Sequence, residues 1–121
     1  MAERLLHDKL CGLDHEEAWA IFLNGRAEVI SVEMLTKGVY DSTSLDARTV
    51  MRRALLLNAF GVLLAHNHPS GNERPSPSDI KITKDIQEAG HLLNVFLIDH
   101  LIMTEDNYFS FCEDRSFNIT R

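Results

Sequence analysis

The sequence predicts an α/β domain in which helices flank a mixed β-sheet, and three observations favour that class. Segments typical of strands and of helices alternate along most of the chain in the order ββαβαββ. Hydrophobic residues make up 45% of the 121 residues, which suits one compact core. No repeat or low-complexity segment interrupts the pattern. We therefore expect residues 1–121 to form a single domain.

The first part of the chain predicts a short helix and a β-hairpin. Residues 2–10 show the spacing of an amphipathic helix. Its apolar side contains Leu5, Leu6 and Leu10. Residues 18–23, AWAIFL, are apolar on both faces, which favours a buried strand. Asn24-Gly25 then predicts a hairpin turn of the type that requires positive φ, and residues 27–35 predict the returning strand.

The middle of the chain predicts two helices, one before and one after a central strand. Asp46 is a suitable N-cap for a helix that ends near Asn58. Its inward face contains Val50, Met51, Ala54, Leu55 and Leu57. Residues 61–65 form a short apolar run, as expected of a central strand. The second helix, residues 78–89, is predicted to stop at Gly90, where glycine tolerates a left-handed cap. Its inward face contains Ile80, Thr83 and Ile86.

The last part of the chain predicts two more strands. Residues 95–103 and 108–111 are rich in aliphatic and aromatic side chains, and the turn-like residues 105–107 separate them. These two strands complete the predicted sheet.

Composition and charge limit the classes of function. Twelve Lys and Arg against eighteen Asp and Glu give a net charge of −6, so attraction to nucleic-acid phosphates through this domain is expected to be weak. Cys11 and Cys112 lie outside any CxxC pattern and are typical of free thiols in a reducing compartment. No apolar run is long enough to span a bilayer, and the charged N-terminus does not resemble a signal peptide. We expect a soluble, cytoplasmic protein.

The segment HNHPSGNERPSPSD, residues 66–79, contains the side chains with the clearest chemistry. Alternate residues of an extended strand point to the same side, so we expect His66 and His68 to share a cavity while Asn67 points away. A polar loop then leads to a helix start, where Asp79 is able to return a carboxylate to that cavity. Two imidazoles and a carboxylate suit a Zn²⁺ ion whose fourth position is left for water, as in catalytic zinc sites.

The end of the same segment has a second interpretation. Ser76-Pro77-Ser78-Asp79 is typical of a helix N-terminus, with Ser76 as the cap, proline at the first helical position and a carboxylate three residues after the cap. Taken alone, this pattern indicates a cap, and HxH alone is a weak signal. The combination of HxHP with SxxD after an apolar strand is harder to explain by packing alone.

HNHPSG followed by PSPSD resembles the JAMM (MPN+) metal-binding motif in the form carried by RadC-family proteins. The likeness covers roughly residues 14–112 and includes the segments EEAWAIFLN, KGVYDST, RTVMRRAL and LIDHLIM. It implies a JAB/MPN-like, or cytidine deaminase-like, α/β fold with a mixed sheet. It also implies a zinc metallopeptidase or isopeptidase in which Zn²⁺ is held by His66, His68 and Asp79. The family is often labelled as DNA repair proteins, although its motif is that of a peptidase.

The chain departs from the family pattern in two places. Family members usually carry an N-terminal helix-hairpin-helix region that we do not expect in this chain, so DNA contact through that region is not expected either. Ala47-Arg48-Thr49 stands where the family commonly shows Pro-Arg-Glu, so the contribution of that glutamate is not supplied here.

The JAMM resemblance also implies a glutamate, upstream of the two histidines, that acts as general base toward a zinc-activated water. The candidates are Glu16, Glu17 and Glu33. Glu16 leads the first strand, as in the family, and by strand parity shares a side with Ala18 and Ala20. We predict Glu16 as the base and retain Glu33, on the second hairpin strand, as an alternative.

Three other residues have possible roles near the metal. Ser76 has two compatible ones, which are to cap the helix and to donate a hydrogen bond to a developing oxyanion. Asp99-His100 is able to orient a zinc-binding histidine as a supporting pair, although an ordinary pair near a strand end is an equally good interpretation.

Three hypotheses of function follow. The leading one is a zinc-dependent peptidase or isopeptidase that acts on a peptide or protein substrate. A zinc nucleotide or base deaminase ranks below it, because the sequence contains no PCxxC element to complete the HxE and PCxxC signature of those enzymes. The third is a non-catalytic module for DNA repair or protein assembly, in which the metal only braces the loop. Exposed strand edges favour a homodimer.

Overall fold

The computed structural model of the chain describes residues 2–38 and 45–119. Within these residues the elements follow in the order α1 (Ala2–Leu10), β1 (Glu17–Leu23), β2 (Val29–Lys37), α2 (Ala47–Leu56), β3 (Gly61–Asn67), α3 (Pro77–Leu93), β4 (Phe96–Met103), β5 (Asn107–Ser110) and β6 (Arg115–Asn118). The strands form one sheet in the order β2-β1-β3-β4-β5-β6. β3 and β4 are parallel and the other neighbours are antiparallel. The predicted mixed α/β class is confirmed. Much of the segment KGVYDST, residues 39–43, lies outside the described residues.

The sheet has a hydrophobic cluster on each face, because alternate side chains of its central strands point in opposite directions. Helices α2 and α3 cover one face. Its buried residues are Ala20, Phe22, Val50, Met51, Ala54, Ala59, Val62, Leu64, Ile86 and Val95. Helix α1 covers the other face. Its buried residues are Leu6, Leu10, Ile21, Leu63, Ala65, Leu101 and Met103. Even-numbered residues of β1 and β3 therefore face α2 and α3, and odd-numbered residues face α1.

Helices α2 and α3 have the expected N-caps, but the predicted helices do not have all the expected inward residues. Asp46 caps α2 by accepting a hydrogen bond from the Thr49 backbone N–H at 2.7 Å. Leu55 is 52% exposed and Leu5 of α1 is 40% exposed, so the expectation that they face inward is wrong. Among the described helices, none is long and apolar enough to cross a membrane.

The hairpin between β1 and β2 turns differently from the prediction. The backbone carbonyl of Asn24 accepts from Ala27 N–H at 3.0 Å, and the Asn24 N–H donates to the Glu28 carbonyl at 2.9 Å. The Asn24 side-chain oxygen also accepts from the backbone N–H groups of Arg26 and Glu28. In this loop positive φ occurs at Ala27 (62°) and not at Gly25. The Asn24 side chain thus stabilises the first turn, and the left-handed residue follows it.

Helix α3 extends beyond its predicted end. It continues through Gly90 to Leu93, and the left-handed cap is Asn94, with φ of 58°. Gly90 is buried, and a Cβ added there would lie 2.1 Å from the carbonyl oxygen of Val95. Glycine is therefore required by the close return of the chain into β4 rather than by a cap. Ile80, predicted to face inward, is 54% exposed.

The short edge strand β6 was not predicted. It has four residues, RSFN, and pairs with β5. Phe117 is its one apolar residue, so its sequence shows little of the pattern by which a strand is recognised.

Candidate metal centre

The central strand β3 delivers two histidines to the face of the sheet that α2 and α3 cover. β3 is buried along its whole length, and His66 is 1% exposed. His68 follows just beyond the strand, and its backbone N–H donates to the Met103 carbonyl of β4 at 2.9 Å. The extended path thus continues for one residue past Asn67, which keeps both imidazoles on the same side of the sheet.

Asp79, in the first turn of α3, faces the two imidazoles. His66 Nε2 and His68 Nε2 are 3.2 Å apart, and each lies 3.1 Å from an oxygen of the Asp79 carboxylate. A tetrahedral ion at 2.0–2.1 Å from two ligand nitrogens would separate them by about 3.3 Å. The three side chains form a group able to hold a metal ion. Two imidazoles and one carboxylate are also a donor set that zinc accepts in catalytic sites.

The charges of these groups favour a cation. Burial opposes ionisation of Asp79, but its close contacts with the His66 and His68 imidazoles outweigh burial and hold the pKa of this carboxyl far below its usual range. Burial also opposes protonation of His68, yet the Asp79 carboxylate, the Asn72 carbonyl and the charge of Glu16 leave the pKa of His68 raised. Asp79 therefore remains ionised over the whole neutral range, and a proton on His68 is the competitor of a metal ion.

The second nitrogen of each histidine has a partner of its own. His68 Nδ1 lies 2.8 Å from the Asn72 carbonyl oxygen, which can only accept, so Nδ1 carries the proton and Nε2 is left for a metal. His66 Nδ1 lies 2.8 Å from Nε2 of the fully buried His100. His100 Nδ1 in turn lies 2.6 Å from the Thr83 hydroxyl oxygen.

Thr83 was predicted only as an inward residue of the helix, yet it contacts His100 behind the metal centre. Its spacing of four residues from Asp79 on the same helix was the signal available, because residues four apart share a helix face. The contact with His100 also depends on how α3 packs against β4, which periodicity does not specify.

The residues of the predicted supporting pair separate. His100 reaches the metal centre through His66, whereas Asp99 lies on the opposite face of β4. The Asp99 carboxylate accepts from the His100 and Cys112 backbone N–H groups and from the Ser110 hydroxyl, at 2.7, 2.9 and 2.6 Å. Asp99 thus joins β4 to the β5–β6 turn, and the proposed pairing of Asp99 with His100 at the metal centre is corrected.

Ser76 and Asp79 form a complete capping box at the start of α3. The Ser76 hydroxyl accepts from the Asp79 N–H at 3.1 Å, and the Ser76 N–H donates to the Asp79 carboxylate at 2.8 Å. The interpretation of PSPSD as a helix cap is confirmed, and the same Asp79 carboxylate faces the two histidines. The capping box fixes the rotamer with which Asp79 faces the histidines.

Glu16 lies immediately before β1 on the face of the metal centre. Ala18 pairs with His66, and continuing this antiparallel register places Glu16 opposite His68. Glu16 is 8% exposed, and its charge acts on His68. Its backbone carbonyl accepts from the Gly38 N–H at 2.9 Å, which ties it to the end of β2.

Asn67 holds the backbone on both sides of Glu16. Its side-chain oxygen accepts from the Glu17 N–H at 2.8 Å, and its amide donates to the His15 carbonyl at 2.9 Å. Asn67 is 3% exposed and points to the face opposite His66 and His68. One residue of the motif thus couples the position of Glu16 to the histidine strand.

The other candidate glutamates have different surroundings. Glu33 forms a bidentate ion pair with Arg53 of α2, at 2.7 and 2.8 Å, and accepts from the Ser31 hydroxyl. Glu17 faces the α1 side, where it accepts from Trp19 Nε1 at 2.9 Å and contacts the His15 ring. Glu16 is therefore the one of the three for which strand parity and electrostatics both indicate the metal centre.

Comparison with known proteins identifies a family and several relatives. The RadC-like JAB domain family model matches residues 1–116. A UPF0758 protein of Flavobacterium johnsoniae is 47% identical over 105 residues, which cover 87% of this chain and 46% of that protein. A UPF0758 protein of Porphyromonas gingivalis is 44% identical over 115 residues, covering 94% and 51%. UPF0758 protein YfjY of Escherichia coli K12 is 41% identical over 105 residues, covering 87% and 66%. The chain spans about half the length of the first two relatives.

Proposed function

Because the chain belongs to the RadC-like JAB domain family, we propose that it is a zinc-dependent hydrolase of the JAMM metallopeptidase or isopeptidase type. Its substrate is an amide bond in a peptide or protein. The observation that carries the proposal is the convergence of His66, His68 and Asp79, whose facing atoms lie 3.1–3.2 Å apart at the end of the central strand. Three protein ligands leave a fourth position for water or substrate, as in catalytic zinc sites.

The metal and the protein contribute different parts of the chemistry. A zinc ion held by these ligands supplies a Lewis acid that lowers the pKa of a bound water to about 7 and polarises an amide carbonyl. Asp79, ionised and held by the capping box, supplies negative charge that stabilises the cation. His66 and His68 supply neutral imidazole nitrogens.

Glu16 is proposed as the general base. Its carboxylate accepts the proton of the attacking water and transfers it to the leaving nitrogen, a role that typically contributes a factor of about 10² to 10⁴ in rate. Its burial and its effect on the pKa of His68 support this assignment. The backbone contacts of Asn67 with His15 and Glu17 hold Glu16 in position.

Ser76 is proposed to stabilise the oxyanion that develops on the substrate carbonyl. Its hydroxyl oxygen accepts the Asp79 N–H of the cap. A hydroxyl that accepts one hydrogen bond still has a proton to donate, so capping and oxyanion stabilisation are compatible.

A second candidate function is a non-catalytic module for DNA repair or protein interaction, in which a metal only braces the loop between β3 and α3. The capping box favours it, because that box alone accounts for the orientation of Asp79. The net charge of −6 is unfavourable for binding of nucleic acid through this domain.

We also propose a cellular location, an oligomeric state and a substrate class. The free thiols of Cys11 and Cys112 are typical of a reducing compartment, which supports a cytoplasmic location. The edge strand β2 is nine residues long and carries the exposed side chains of Val29 and Met34, which supports pairing with a second copy of the chain. A peptide or protein is the substrate class that fits amide hydrolysis.

The test combines metal analysis with a substrate panel. Protein purified under reducing, chelator-free conditions is expected to contain one zinc per chain and to cleave some members of a panel of peptides and lysine-linked isopeptides. Chelation should abolish cleavage and zinc should restore it. His68→Ala should lose zinc, and the exposed His91→Ala is the matched control that should retain it. Failure of the wild-type protein to bind zinc would refute the proposal. Bound zinc without hydrolysis of any member would favour the non-catalytic module.

A further inference from the structure

We propose that Thr83 and His100 are positioning residues that keep the proton of His66 on Nδ1, so that the Nε2 lone pair is available to a metal ion. The three residues form a hydrogen-bonded chain behind the metal centre, at 2.8 Å between His66 and His100 and 2.6 Å between His100 and Thr83. This inference rests on the proposed metal site and adds the device that prepares one of its ligands.

The contacts of Thr83 determine which atoms donate and which accept in this series of hydrogen bonds. The Thr83 hydroxyl lies 2.7 Å from the backbone carbonyl oxygen of Asp79, which can only accept. A hydroxyl has one proton, and the carbonyl takes it. Toward His100 the hydroxyl is therefore an acceptor, so the proton of the 2.6 Å contact belongs to His100 Nδ1.

The second step fixes both nitrogens of His100. The His100 side chain is fully buried, and its two ring nitrogens contact an imidazole nitrogen and a hydroxyl oxygen rather than a carboxylate, a setting that disfavours a charge on the ring. The ring is therefore neutral and carries one proton. Because that proton is on Nδ1, Nε2 is an acceptor.

The tautomer of His100 in turn determines which nitrogen of His66 carries the proton. His66 Nδ1 faces the accepting Nε2 of His100, so His66 donates from Nδ1. Its Nε2 is then unprotonated and faces His68 Nε2 and Asp79 Oδ1. The opposite tautomer of His66 would place two lone pairs against each other at 2.8 Å unless His100 also reversed. That reversal would require the single hydroxyl proton of Thr83 to serve both His100 and Asp79.

These hydrogen bonds also link the helix and the strand that carry the proposed ligands. The series begins at the peptide of Asp79 in α3, passes through His100 of β4 and ends at His66 of β3. Asp79 on α3 and His66 on β3 are thus connected through buried hydrogen bonds as well as through their direct contact. Partners of this kind usually change metal affinity by about 10- to 100-fold when they are removed.

Isosteric variants separate this role from ordinary packing. Thr83→Val retains the shape and removes the hydroxyl, whereas Thr83→Ser retains the hydroxyl. Zinc affinity, measured by competition with a chromophoric chelator, is expected to fall about 10-fold or more in Thr83→Val and to remain near wild type in Thr83→Ser. His100→Leu should weaken zinc binding similarly. His100→Gln, whose amide can accept from His66 and donate to Thr83, should recover part of the loss. Equal zinc affinity in Thr83→Val, His100→Leu and the wild type would overturn the proposal.

NMR spectroscopy can locate the ring protons of His66 and His100 directly. In ¹⁵N-labelled, zinc-loaded protein, a through-hydrogen-bond coupling between His66 Nδ1 and His100 Nε2 is expected, with both Nδ1 atoms protonated. A proton on His100 Nε2 would overturn the inference while leaving the zinc-binding proposal intact. Absence of zinc from the wild-type protein would refute both this inference and the zinc-binding proposal. Zinc binding with the expected coupling but no hydrolysis would refute only the catalytic function.

Discussion

Ala18 lies directly opposite His66 in the antiparallel pair of β1 and β3. Because side chains alternate along a strand, this register places Glu16 on the face of the metal centre. A shift of one residue would bring Glu17 to that face and turn Glu16 away. The register of a strand that carries no metal ligand thus decides which carboxylate is able to act at the site.

The first prediction concerns the general base. Glu16→Gln is expected to lower kcat by about 10² to 10⁴ because an amide cannot accept the proton of the attacking water. Zinc content should be unchanged, since Glu16 is not a ligand. Glu33→Gln is the matched control. It should retain activity and lose about 1 kcal/mol or less of stability, because Glu33 is engaged in a partly exposed ion pair with Arg53. Steady-state kinetics with metal analysis would contradict the assignment if Glu33→Gln, and not Glu16→Gln, abolished hydrolysis.

The second prediction concerns the residue that holds Glu16. Asn67→Ala leaves the Glu17 N–H and the His15 carbonyl without their side-chain partner. An unsatisfied buried polar group costs about 1–3 kcal/mol, so the free energy of unfolding should fall by about 2 kcal/mol or more. The exposed Asn118→Ala should change it by no more than about 0.5 kcal/mol. Urea denaturation measures both. If Asn67→Ala preserved both stability and kcat, Asn67 would have no part in positioning Glu16.

The sequence predicted the parts of this site that depend on local backbone geometry and missed the part that depends on packing between a helix and a strand. Strand parity placed His66 and His68 on one side, and the capping pattern brought Asp79 to a helix start, because both are local properties of the backbone. The contact of Thr83 with His100 joins two consecutive elements, α3 and β4, but it is made by tertiary packing rather than by the local backbone. It depends on the depth at which α3 packs against β4, which no period in the sequence encodes.

The errors in the fold have a similar origin. Gly90 was predicted to end α3, because a glycine near a helix end commonly adopts a left-handed cap. Glycine is required at position 90 because the chain turns back into the sheet there, and the Val95 carbonyl oxygen occupies the space that a Cβ would need. Asp99 was paired with His100 because they are neighbours in sequence. Alternation along β4 sends them to opposite faces.

The third prediction uses Gly90 to test this packing. Gly→Ala inside a helix ordinarily stabilises by about 1 kcal/mol. Gly90→Ala should instead destabilise the protein by about 1–3 kcal/mol, because the added methyl group meets backbone rather than a movable side chain. Gln87→Ala, on the exposed face of the same helix, is the control and should have little effect. A rise in melting temperature for Gly90→Ala would show that α3 and Val95 are farther apart than described.

The fourth prediction concerns the pH dependence of zinc binding, and it begins with the metal-free protein. Asp79 raises the pKa of His68 against the effect of burial, so this interaction contributes stability below the ordinary histidine pKa of about 6.5 and is lost as pH rises through the higher folded value. The lowered pKa of Asp79 contributes stability above the ordinary value of about 3.9 and is lost only in strong acid. The metal-free site therefore benefits most from this pair between about pH 4 and 6.5.

Zinc requires His68 without its proton, so the ion competes with that proton below the raised pKa. Free zinc at 100 times its dissociation constant would stabilise the fold by about 2.7 kcal/mol, and that dissociation constant increases as pH falls. The difference in melting temperature between zinc-loaded and chelated protein should therefore be smallest near pH 5 and grow toward pH 8. Differential scanning fluorimetry at constant free zinc measures it, and His68→Ala should show a much smaller difference at every pH. A difference that stayed constant or decreased with rising pH would mean that the ion does not displace a proton from His68.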